Sequence, residues 1–164
     1  ELIDETMKTY STNYASPVGT LTITATASHV TEILFEEQPV SDEMDIPDVL
    51  QRCTRQIDAY FQGVRTAFSV DLKPRGTNFQ QRVWRQLEEI PYAETVSYGD
   101  VARSIGKPTA CRAVGGANGR NPIPIIIPCH RVIGSGGQLT GYGSGIWRKE
   151  WLLEHEKMVA ASAF

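Results

Sequence analysis

Asn121-Pro122-Ile123-Pro124-Ile125-Ile126-Ile127-Pro128-Cys129-His130-Arg131-Val132-Ile133-Gly134 is the stretch on which the reading of this chain turns. The apolar run Ile125-Ile126-Ile127 reads as a short buried strand, and Gly134-Ser135-Gly136-Gly137 after it reads as a loop. A strand in that place would deliver Cys129 and His130 to an exposed end. The thiolate is the nucleophilic form of cysteine, and a free thiol is mostly protonated at neutral pH. A reactive Cys129 therefore needs a base or a positive field beside it. Neighbouring residues on an extended strand point to opposite faces, so Cys129 and His130 would cooperate only through a turn or a bridging water. Taken by itself, the pair has a plainer alternative: a buried structural cysteine next to a surface histidine.

Upstream of this stretch the pattern is helical. Thr77 with Gln80 forms a capping-box pair, and Phe79, Val83, Trp84, Leu87 and Ile90 follow at helical spacing until Pro91-Tyr92. Ser97 with Asp100 caps a short helix that ends at Gly106, Lys107-Pro108-Thr109 makes a turn, and a second short helix runs from Ala110 to Asn118. Two short helices about a tight Gly/Pro turn match a helix-turn-helix. The second of them is nearly bare: Ala113, Gly115, Gly116 and Ala117 follow Arg112. Small residues let a backbone come close, which suits a shallow minor groove and equally suits helix-helix packing. A last helix is expected from about Ile146 to Glu156.

The first half reads differently. Met7 to Phe35 carries β patterning, with Thr20-Leu21-Thr22-Ile23-Thr24-Ala25 alternating behind a turn at Ser16-Pro17-Val18-Gly19, and a third strand over Val30–Phe35 completing a meander. Val40–Asp45 reads as an acidic surface loop. Pro47 opens a helix with Val49, Leu50, Cys53, Ile57, Tyr60 and Phe61 on one face and Gly63 at its end, which accounts for Cys53 as core.

Net charge is −3 over 164 residues, which on its face disfavours a nucleic-acid partner. The distribution argues otherwise. Through Gly63 eleven acidic residues face three basic ones, whereas from Val64 onward eight acidic residues face thirteen basic ones. Between Val101 and Lys149 there are seven basic residues and no acidic one. Such a face attracts phosphate, or is a solvated face whose acidic partners come from the other half. No apolar run approaches the length of a membrane span, and Glu1-Leu2-Ile3-Asp4-Glu5 lacks the regions of a signal peptide. Three cysteines without metal-ligand spacing suggest a reducing, intracellular compartment.

The stretch around Cys129 strongly resembles the active-site signature of the O6-alkylguanine-DNA alkyltransferases, the methylated-DNA–protein-cysteine methyltransferases. The resemblance continues through Leu139-Thr140-Gly141-Tyr142 and Arg148–Glu156, and upstream through Phe79–Trp84, Ile90-Pro91, Ser97-Tyr98-Gly99 and Cys111–Asn118. It implies an α/β fold: a small N-terminal α/β subdomain, residues 1–75, with a three-stranded antiparallel sheet, then a mostly helical C-terminal subdomain, residues 76–164, holding the helix-turn-helix and the active site.

The resemblance also assigns roles. Cys129 is the nucleophile, and His130 and Glu156 form with it a Cys–water–His–Glu relay that favours the thiolate. Asn121 ties down the turn around the site. Tyr98 rotates the target phosphate and donates to the departing guanine, and Lys149 assists at the same base edge. Arg112 fills the gap left by an extruded nucleotide, while Ala113, Gly115, Gly116 and Asn118 face the DNA. Tyr142, Gly143, Val132 and Lys149 line the base pocket. The implied partner is double-stranded DNA carrying O6-alkylguanine, bound through the minor groove by a monomer in the cytoplasm, or in the nucleus of a eukaryote. No cofactor or metal is implied. Gly143 stands where some relatives have serine and Asn118 where some have a bulkier residue, so a roomier pocket is expected. Cys111, beside Arg112, reads as a packing residue. The competing readings are a cysteine hydrolase, a plain DNA-binding module, and a non-catalytic protein that recognises alkylated DNA.

Overall fold

Ser16 and Gly19 close a tight hairpin in which the Ser16 hydroxyl accepts from the Val18 amide at 3.1 Å and donates to the Gly19 carbonyl at 2.6 Å. From it run β1 (Tyr10–Ser16) and β2 (Gly19–Ala25), and β3 (Val30–Leu34) completes an antiparallel sheet in the order β1-β2-β3. This structure, a computed structural model, describes residues 8–40 and 46–163; the start of the chain and all but Val40 of the acidic loop lie outside the described residues. The chain divides between Arg75 and Gly76 into two compact units.

In the first unit α1 (Asp48–Phe61) lies on the sheet and buries Val49, Leu50, Cys53, Ile57, Tyr60 and Phe61, the face expected from its periodicity. Gln56 joins that face because its side chain is answered: it donates to Ser69 Oγ at 2.9 Å and accepts from the Ser69 amide at 2.9 Å.

The second unit opens with α2 (Asn78–Leu87), capped by a full Thr77/Gln80 box, and buries Val83, Trp84 and Leu87. Its Trp84 indole donates to the Ala117 carbonyl at 2.8 Å, which fixes α2 against α4 (Cys111–Gly119). Between them comes α3 (Tyr98–Ser104), started by the Ser97/Asp100 box. The helices α3 and α4 and the turn joining them form the expected helix-turn-helix. The final helix, α5 (Ile146–Ala161), runs five residues beyond its expected end at Glu156, since no glycine or proline stops it there.

The predicted strand over Ile125–Ile127 is not formed. Residues 122–127 fold as tight turns in which the Ile127 amide reaches back to the Ile123 carbonyl at 3.0 Å, and Ile125 takes φ +74°. Three prolines remove the amides that a central strand would need, so the isoleucines are buried as a knot instead of a ladder. Left-handed backbone is costly for a β-branched residue, and the strain lies four residues before Cys129. Only Val132–Ile133 (β5) is extended, and it pairs in parallel with Val96–Ser97 (β4). That short ladder places Tyr98, the next residue, beside the segment that carries the cysteine.

Candidate active site and nucleic-acid interface

Cys129, His130 and Arg131 form one 3-10 turn, and all three are buried; the exposed end expected for Cys129 and His130 is absent, with Cys129 5% and His130 0% exposed. Burial pushes the Cys129 thiol up to about 11, partly offset by Asn121, Lys149 and Tyr142 around it. Burial thus works against the thiolate that the relay is expected to favour.

The other members of the relay lie next door. His130 Nε2 is 2.7 Å from Glu156 Oε2, as the relay requires. The same carboxylate takes Arg131 Nε on Oε1 at 2.9 Å and Arg131 Nη2 on Oε2 at 3.0 Å, and accepts the Ala93 amide at 3.0 Å. Ala93 reaches it from φ +65°. Burial alone would raise the Glu156 carboxyl, but His130 and Arg131 outweigh burial and hold it well below the usual carboxylate range. Burial lowers His130; the pull of Glu156 in the other direction is countered by Arg131 and Lys149. An ionised Glu156 accepts, so His130 carries its proton on Nε2, and Nδ1 is left as the basic nitrogen. No described protein group hydrogen-bonds to Nδ1.

Arg131 is the residue that sequence reasoning missed. Besides gripping Glu156 it donates to the Ile90 carbonyl at 2.8 Å and lies over the Tyr92 ring at 5.5 Å. A guanidinium inside an apolar run needs a carboxylate partner, and that requirement is the signal that could have found it.

Asn121 does what a turn-holding residue should. It donates to the Ile127 carbonyl at 2.7 Å and accepts the Ile123 amide at 2.9 Å, closing the proline-rich knot. Asn118 does not face outward: it is 2% exposed and donates to the Cys129 carbonyl at 3.3 Å. It shares the inward stripe of α4 with Val114 and Ala117, so its expected DNA contact is withdrawn. Arg112 and Ala113 are exposed and Gly115 and Gly116 half-exposed on the outer face. Cys111 is exposed as well, so the packing role expected for it fails.

The pocket wall is a set of backbone carbonyls held by two donors. Lys149 Nζ donates to the Val132 carbonyl at 2.6 Å and to the Thr140 carbonyl at 2.8 Å, and burial lowers it to about 8. Tyr98 Oη donates to the same Thr140 carbonyl at 3.0 Å. A Cβ on Gly141, at φ +72°, would come within 2.9 Å of the Tyr98 hydroxyl, so only glycine allows this approach. Tyr142 is buried, and its hydroxyl interacts with the Cys129 thiol. Gly143 is exposed, and a Cβ there would meet nothing nearer than the Gly119 carbonyl at 3.9 Å. Tyr98, Arg103, Cys111, Arg112, Gly115, Thr140 and Gly141 share a cleft of about 610 Å³.

A buried cysteine and a histidine-carboxylate pair share one unit with a helix-turn-helix, an arrangement suited to nucleophilic chemistry at DNA. The chain belongs to the 6-O-methylguanine DNA methyltransferase family: residues 9–74 match its ribonuclease-like domain and residues 78–158 its DNA binding domain. It is 52% identical over 146 residues to a methylated-DNA–protein-cysteine methyltransferase of Mycobacterium tuberculosis, covering 87% of this chain and 88% of that one. A Methanosarcina acetivorans protein of the same name is 44% identical over 154 residues, covering 90% and 97%. The crystal structure of Mycobacterium tuberculosis O6-methylguanine methyltransferase superposes with a TM-score of 0.84 at 48% identity, covering 94% and 96%. That of Mycobacterium tuberculosis OGT in complex with DNA gives 0.81 at 51%, covering 90% and 92%. The mixed α/β architecture expected from the sequence is the one these structures share.

Proposed function

We propose that this chain repairs DNA by direct reversal, moving an alkyl group from guanine O6 to Cys129. The observation that carries the reading is the buried Cys129 beside a His130 whose Nε2 is held by Glu156. DNA enters the reading through the relative solved in complex with DNA and through the match to the family's DNA binding domain.

The outer face of α4 enters the minor groove, its Ala113, Gly115 and Gly116 allowing close approach, and Arg112 fills the gap as the damaged nucleotide turns out. Extrusion is a geometric necessity, because a thiol cannot reach a stacked O6 in line. His130 Nδ1 takes the thiol proton through one water. The sulfur attacks the alkyl carbon, the S–C bond forms, the C–O6 bond breaks, and the guanine anion takes a proton from Tyr98. Lys149 assists at the base edge. The thioether has no route back to thiol, so each molecule acts once.

Intact mass and peptide mapping after mixing with duplex DNA holding one O6-methylguanine test this. One methyl group on the Cys129 peptide in stoichiometric yield is expected. Tight binding without a mass change would leave a damage-recognition protein.

A further inference from the structure

The start of α5 runs against the rules for a helix N-terminus. Its cap, Gly145, supplies no side-chain acceptor, its first turn holds no acid, and its first three residues are Ile146, Trp147 and Arg148. A cation in the first turn opposes the helix dipole, and a tryptophan 51% exposed leaves apolar surface in water. Both side chains are engaged on the loop before the helix. Arg148 Nη1 donates to the Ser144 carbonyl at 2.5 Å, and the guanidinium carbon lies 4.6 Å from the centre of the Trp147 ring. Trp147 lies in turn against Gly145, where φ is +110° and a Cβ would come within 3.2 Å of the indole. The Gly145 amide donates to the Tyr142 carbonyl at 3.0 Å. Ring, guanidinium and backbone thus close residues 142–148 into one clasp, and Tyr142 rides on it with its hydroxyl at the Cys129 thiol. At the other end of the loop Lys149 and Tyr98 hold the Thr140 carbonyl. Without the clasp, Gly143 and Gly145 would leave the segment between free to swing.

We propose that Trp147 and Arg148 are positioning residues for the alkyl transfer: stacked on each other, they hold the pocket loop so that Tyr142 walls the space beside Cys129. What the pocket receives rests on the repair reading, but the clasp itself is measurable without any substrate. A loop that opens lowers the fraction of protein ready to take the base. The apparent dissociation constant then rises in proportion, while the rate at saturation is kept.

Amide exchange of Gly145, followed by NMR, reads the clasp in the protein alone. Arg148→Met should speed it about tenfold, the weight of one hydrogen bond from a charged donor, and bring it close to the unprotected rate. Trp147→Ala should speed it by about threefold, and Trp147→Phe, which keeps a ring for the guanidinium, should restore the parent rate. The second readout is single-turnover alkylation of Cys129 by free O6-benzylguanine, a probe that reaches the pocket without DNA. In Arg148→Met its half-saturating concentration should rise roughly threefold or more, with the limiting rate little changed. Unchanged Gly145 exchange in Arg148→Met overturns the proposal, as does a lowered limiting rate at unchanged half-saturation. Weaker duplex binding by both variants, with Gly145 exchange at the parent value, would make the pair a DNA contact and overturn it too. Should the unsubstituted protein not react with the probe, the repair reading fails, and the exchange rates alone uphold or overturn the clasp. Should Arg148→Met not fold, Trp147→Ala, a change at an exposed side chain, decides by the same two readouts.

Discussion

The outer face of α4 and the inner face of α5 invert each other. On α4 the side pointing to solvent is Arg112 and Ala113 with two glycines, a surface with almost nothing on it except one guanidinium. On α5 the side pointing inward is Lys149, Leu152 and Glu156, three residues at helical spacing of which two are charged. A helix that stabilises a fold puts its charges outside and its bulk inside. The inner face of α5 breaks that rule and the outer face of α4 keeps it with a single charge, each where the proposed reaction needs it: smooth backbone against DNA, and buried charge against the thiol.

Removing the inner charge should have the largest effect. Glu156→Ala strands Arg131 in the interior and takes the partner from His130, so the unit should lose about 3–5 kcal/mol in chemical denaturation along with alkyl transfer. The cost should depend on pH. The Glu156 carboxyl is depressed in the fold, so its contribution is full above the ordinary carboxylate range and drains away as pH falls toward its folded value. The gap between parent and variant should therefore narrow in acid; a gap constant from neutral to strongly acid pH would break the inner half of the comparison.

On the outer face, Arg112→Ala should slow transfer from duplex DNA on the order of tenfold or more, because the extruded state loses its filler. It should leave the iodoacetamide reaction of Cys129 without DNA untouched. A change in both would mean that the two faces are one structural unit.

The pH profile sharpens the distinction further. Burial pushes the Cys129 thiol up to about 11, so its reaction with iodoacetamide should keep rising beyond the ordinary thiol range. A profile that levels off within the ordinary thiol range would contradict the sealed site.

The smallest effect separates the two capping boxes. Thr77→Ala and Ser97→Ala should each cost about 1 kcal/mol. Only Ser97→Ala should also reduce transfer, since that cap sets Tyr98 at the start of α3.

Legibility followed the same division. Local, periodic features could be read directly: the Ser16–Gly19 hairpin, the inward face of α1, both capping boxes and the two helices of the DNA-binding motif. Features that depend on distant partners could not. Ile125–Ile127 carry a strand composition, and only Pro122, Pro124 and Pro128 betray that no ladder can form around them. The resemblance set Asn118 against the DNA, but its place in the stripe of Val114 and Ala117 turns it to the Cys129 carbonyl. The inward face of α5 is invisible to hydrophobic periodicity, being built from a lysine that binds two carbonyls and a glutamate that binds three residues far from it in sequence. Arg131 escaped for the same reason: its meaning lies in Glu156, twenty-five residues away.

The most direct test of the account is an active-site titration, with guanine restored in duplex O6-methylguanine DNA measured against added protein. A burst ending at one guanine per protein, and no repair at all by Cys129→Ser despite retained DNA binding, is the predicted result. Continued turnover past one equivalent, or repair surviving in Cys129→Ser, would contradict it.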